Sequence, residues 1–107
     1  MTVDFASAMA ELRRAANRLA ELVVWKELDE EHGRPDLPPA FRINYRFHED
    51  ARNLYGLFLQ IDQSIRTWLS QPDIASDPEE IARWRKTLLE VEDRVRRLRI
   101  TERFKNF

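Results

Sequence analysis

Apolar residues return every three or four positions through three stretches of this chain, and two short clusters of turn-forming residues separate them. In the first stretch Phe5, Met9, Leu12, Ala16, Leu19 and Val23 fall on one stripe of a 3.6-residue helix. Thr2 or Asp4 can cap its start, and Gly33 followed by Pro35 can end it. In the second, Phe47, Ala51, Leu54, Phe58, Ile61, Ile65 and Trp68 repeat without a fault, and Tyr55, Leu57, Leu59 and Leu69 widen the apolar arc to roughly half the circumference. That width predicts a central helix in contact with both neighbours and with surface to spare. The third opens on Asp77-Pro78-Glu79-Glu80, with a capping aspartate, a proline suited to the first helical position and Glu80 placed to complete a capping box. Ile81, Trp84, Leu88, Val91, Val95 and Leu98 then form a narrow seam.

The turn clusters run over 32–39 (HGRPDLPP) and 70–78 (SQPDIASDP). They predict an all-α fold, an antiparallel up-down-up three-helix bundle with helices at about 3–31, 44–70 and 78–104 in a single domain over 1–107, which a dimer would extend into a larger helical bundle. Residues whose numbers sum to about 74 should lie level between helices one and two, and those summing to about 148 between two and three. Trp68 and Trp84 then meet at one end.

At the other end the regular stripes leave residues over. Val24, Trp25 and Leu28 point off the first stripe, and Ile100, Phe104 and Phe107 form a row off the third seam. Between loop and helix, Phe41, Ile43, Tyr45 and Phe47 alternate with Arg42, Asn44, Arg46 and His48, a period of two that fits an extended segment or the start of a helix. The level rule brings these ten residues together as an aromatic end. It is either a second small core closed by PPAFRINYRF or a contact surface, since contiguous exposed apolar area marks partners.

Composition narrows the classes. At 107 residues and 43% hydrophobic content the chain can build one core. Cysteine is absent, which excludes a disulfide scaffold and thiolate chemistry. Thirty-five per cent of residues are charged, yet the net charge is −1, so no global field points to a polyanionic partner. Neither a signal peptide nor a membrane span is visible, and the expected location is cytoplasmic.

Candidate chemistry is sparse. Asp62 falls inside the apolar arc of helix two and should find a basic partner, with Arg13, Arg14, Arg85 and Lys86 at its level. His32 and His48 share the aromatic end with Asp29, Glu49 and Asp50, but a single helical i, i+3 pair falls short of a metal set, so neither metal nor cofactor is expected. The spacing of Arg42 and His48 is similar to the Arg-x(4–6)-His motif of HEPN ribonucleases, in which the pair acts on the RNA phosphodiester, although that family's fourth helix is missing. Glu27-x-x-Glu30 and Glu90-x-x-Asp93 are similar in letters to the magnesium-binding pairs of MazG-type nucleotide pyrophosphohydrolases, across a far wider gap than in that family. A small helical ribonuclease or nucleotide hydrolase is therefore one alternative. A second is a nucleic-acid-binding regulator using Arg94, Arg96, Arg97, Arg99 and Arg103. The leading expectation is a non-enzymatic protein–protein interaction module, a homodimer or a partner of another protein, using the aromatic end and the wide face of helix two.

Overall fold

The computed structural model describes residues 4–32, 45–71 and 77–104, the side chains of 29–32 and 45–48 excepted. Three long helices, α1 (Phe5–His32), α2 (Tyr45–Leu69) and α3 (Pro78–Leu98), run up, down and up, and one further turn, α4 (Ile100–Arg103), follows. Phe5 registers all three at one end. Its ring meets Trp68 edge-on at 6.3 Å and stacks on Trp84 at 6.2 Å between centroids. The bundle is a rod of 56 × 22 × 20 Å.

The helix starts follow from their caps. Asp4 accepts the Ser7 amide at 3.0 Å and the Ser7 hydroxyl at 2.6 Å, and these bonds, the hydroxyl's first, hold its pKa below the ordinary carboxylate value. Asp77 accepts the Glu79 amide at 3.0 Å, with Pro78 at the first helical position. Glu80 does not close the expected capping box. Its Oε1 instead accepts the Trp84 indole N–H at 3.3 Å, which satisfies the polar edge of a half-buried ring.

The centre of the bundle is α1, not α2 as its wide apolar arc predicts. α1 packs against both neighbours, whereas α2 and α3 touch each other far less. Met9, Leu12, Ala15, Ala16, Leu19, Leu22 and Val23 are all buried. α2 instead turns Asp62 and Arg66 toward Glu92 of α3. Charged groups resist the dehydration that closes a leucine seam, so this side stays open. The level between α2 and α3 is displaced as well: Arg66 meets Glu92, and Arg85 donates to the Leu69 carbonyl at 3.3 Å. Both pairings lie further along α3 than the level rule gives, because the first turns of α3 overhang the end of α2.

The third helix does not run unbroken to about residue 104. It stops at Leu98, and Arg99 adopts φ 53° and ψ 48°, the left-handed region. A continuous right-handed helix would carry Ile100 to the solvent side of α3. The left-handed residue redirects the chain, and Ile100 and Phe104 both fall to 2% exposure in the core. A left-handed non-glycine residue costs about 1–2 kcal/mol, while burying an isoleucine and a phenylalanine contributes roughly 1.5–3 kcal/mol each. Packing wins. Arg103 fastens the turn, its Nε donating to the Leu98 carbonyl and its Nη1 to Glu27, both at 2.7 Å.

This balance gives a direct expectation. Arg99→Gly, which has no Cβ to clash, should leave stability unchanged or raise it by up to ~1 kcal/mol, whereas Arg99→Val should cost about 1–2 kcal/mol. Urea-unfolding midpoints compare the two, and equal midpoints would remove the strain from Arg99.

Candidate functional site

The residues expected at the aromatic end separate into three groups. Ile100 and Phe104 belong to the chain's own core and drop out of any exposed contact surface, for the packing reason given above. Val24 and Trp25 are exposed and Leu28 is half-buried. Phe41, Ile43 and Phe107 lie outside the described residues, as do the side chains of Tyr45, Phe47, His32 and His48. The Lys26 ammonium sits 5.9 Å from the centre of the Phe104 ring, so this end of α1 covers the α4 turn.

The densest chemistry lies in the groove between α2 and α3. Arg66 donates through Nε to Asp62 at 3.2 Å, one turn back on its own helix, and through Nη2 to Glu92 across the groove. Asp62 thus has a basic partner, but it is Arg66 and none of the four expected from neighbouring levels. The i, i+4 spacing of Asp62 and Arg66 is the signal that would have found it. The Asp62 side chain is only 13% exposed, and its Oδ1 and the Oε1 of Glu92 are buried with no hydrogen-bond donor. Burial, and then the negative charge of Glu92, push the Asp62 pKa up, against the opposing pull of Arg66. The hydrogen bond to Glu92 in turn raises the Arg66 pKa.

This triad is structural in its arrangement. One guanidinium ties two carboxyls across a seam, and among the described residues no group of three or more His, Cys, Asp or Glu side chains converges as a metal set. One member of each pair similar in letters to a magnesium-binding motif is engaged elsewhere: Glu27 with Arg103, and Asp93 with both Arg96 and Arg97.

The basic run is likewise engaged within the chain. Arg94 donates to Asn17 at 3.0 Å, Arg96 and Arg97 pair with Asp93 at 3.2 and 2.9 Å, Arg99 pairs with Glu102 at 2.9 Å, and Arg103 holds Glu27. A surface built to take phosphates presents uncompensated cations on one side. Here acids alternate with the arginines around α3 and α4.

Among the described residues the apolar surplus of α2 is partly uncovered, as are Val24 and Trp25 of α1. Leu57 and Leu59 are each 47% exposed on opposite flanks of the buried Phe58. Leu59 lines the α2–α3 groove together with Tyr55 and with Leu89, which is 60% exposed. Leu57 lies in a second cleft, between α1 and α2, with Leu54 and Ile61 beside it. No family model, no curated protein and no solved structure matches the chain, which leaves these residues themselves as the basis for a function.

Proposed function

We propose that this chain is a non-enzymatic helical protein–protein interaction module whose contact surface is the exposed flanks of α2. The observation that carries the reading is the pair Leu57 and Leu59, half-exposed on either side of a helix whose central stripe is already buried. An amphipathic helix in a finished monomer confines its leucines to one stripe. A helix with leucines on both flanks is shaped for neighbours on both, and a groove between two helices is a common seat for a further one. Arginine pairing weighs against the nucleic-acid alternative, because each of the five candidate arginines already has an acceptor within the chain.

The test is a co-purification from cells that encode the protein, comparing the wild type with the double variant Leu57→Glu, Leu59→Glu. Both positions are exposed enough to accept glutamate without loss of fold, which circular dichroism checks. The wild type should retain specific partners or copies of itself, and the variant should lose them. Identical retention by the two, or a wild type that retains nothing and stays monomeric, would sink the proposal.

A further inference from the structure

The groove between α2 and α3 holds two acids on a single basic edge. Nε and Nη2 are the two donors along one edge of the Arg66 guanidinium, which a single carboxylate ordinarily fills with both its oxygens. Here two carboxyls share it: Asp62 gives Oδ2 to Nε, and Glu92 gives Oε2 to Nη2. Each has one oxygen left over, Asp62 Oδ1 and Glu92 Oε1, and both are buried with no donor. The two side chains are only 13% and 18% exposed, so water screens their charges little. The other ionisable residues lining the groove are Tyr55 on α2, Arg96 on α3, Arg99 at the break and Glu102 on α4, and no described residue of α1 lines it. Neither further arginine neutralises the pair, because Arg96 is engaged by Asp93 and Arg99 by Glu102.

From this geometry we infer that the α2–α3 seam is a proton-operated latch, closed while one proton sits on the Asp62–Glu92 pair and widened when that proton leaves. In the closed state the pair carries one negative charge against one guanidinium, and the protonated carboxyl supplies a donor where there was none. Loss of the proton leaves two carboxylates on one cation, away from water, and like charges so placed repel. Admitting water between them relieves the repulsion. The fold lets this happen locally. α2 and α3 touch each other far less than either touches α1, so they can part at this level while both stay anchored on the α1 core. Leu59 and Leu89, lining the groove from α2 and α3, are too exposed to clamp it shut. The upward shift of the Asp62 pKa, caused by burial and then by Glu92, runs in the same direction. The folded chain keeps this proton to higher pH than the unfolded one, so the closed seam is the state lost as pH rises through the folded value. The latch stands apart from the interaction reading, since the groove widens whether or not a partner enters it.

A distance measured across the seam tests this. The chain has no cysteine, so cysteines introduced at exposed Gln63 of α2 and Lys86 of α3 take spin labels at those two places alone. Dipolar spectroscopy then reads their separation from mildly acidic to mildly alkaline pH. It should lengthen by ~3 Å, about one hydrogen-bonded water, in a single step whose midpoint lies above the ordinary aspartate value. Asp62→Asn, which takes up no proton and carries no charge, should keep the short distance at every pH. Glu92→Gln should abolish the step or move it to lower pH, because the remaining carboxylate then has Arg66 to itself. A second labelled pair across α1 and α2, at exposed Ala10 and Arg52, should not move. In the unlabelled protein the carboxyl carbon resonance of Asp62 should titrate with the same midpoint, and circular dichroism checks that the chain stays folded throughout. A separation that is constant with pH in the folded wild type overturns the latch. So does a step that both Asp62→Asn and Glu92→Gln leave in place, which would belong to another ionisable group. An equal change at both labelled pairs overturns it as well, being a loosening of the whole bundle.

Discussion

Phe104→Ala is expected to lower the free energy of unfolding by about 3–5 kcal/mol, the cost of emptying a phenylalanine site in a packed core. A domain of this size has about 5–15 kcal/mol in all, so one residue of the short turn beyond α3 should remove a large part of the total. The expectation follows from Arg99, whose left-handed backbone turns the last segment onto α1, and from the 2% exposure of Phe104. Leu89→Ala is the control. That leucine is 60% exposed, and its replacement should shift stability by no more than about 0.5 kcal/mol. Urea denaturation of both variants decides between the two outcomes, and a Phe104→Ala loss as small as that of Leu89→Ala would detach the α4 turn from the core.

The helices are legible in the sequence because their signals are local. The period through Phe47–Trp68, the Asp77-Pro78 start and the meeting of Trp68 with Trp84 around Phe5 all follow from spacing and caps. What a wheel diagram leaves out is which of two apolar faces outcompetes the other for the centre. α1 takes the centre, and Met9, Leu12, Ala15, Ala16, Leu19, Leu22 and Val23 are all buried there. The break at Arg99 was illegible for a different reason. Arginine is a good helix former and nothing in its identity favours the left-handed region. The only trace is the position of Ile100 and Phe104 off the seam, which signals surplus apolar residues without saying whether they turn inward or meet a partner. The candidate site divides similarly: the surplus on α2 could be read directly, whereas Glu92 as the second acid beside Asp62 required the actual level between α2 and α3.

That acid pair sets up the second large effect, at Arg66. Asp62 and Glu92 each place one buried oxygen where no donor reaches it, and Arg66 is the cation that bonds to both carboxyls. Removing one partner from a buried ionic cluster costs about 3–5 kcal/mol. Arg66 is itself 49% exposed, and water entering its place screens part of that cost, so Arg66→Ala should lose about 2–3 kcal/mol near neutral pH. The pH dependence identifies the cause. The folded-state pKa of Asp62 lies above its ordinary value, so between the two the folded chain binds more protons than the unfolded one, and stability falls as pH rises through that window. Arg66 opposes the shift. Without it the Asp62 pKa moves further up, the window extends toward neutral pH, and the variant's deficit should shrink as the solution is acidified and Asp62 takes its proton. Adding Asp62→Asn to Arg66→Ala should recover most of the loss at neutral pH and flatten this dependence, because the amide carries no charge to repel Glu92 at any pH. Thermal or urea unfolding of the three proteins at mildly acidic and neutral pH reads all of this together. A deficit in Arg66→Ala that is the same at both pH values, or that Asp62→Asn leaves untouched, would mean that the arginine acts through the packing of its stem rather than through the two carboxyls.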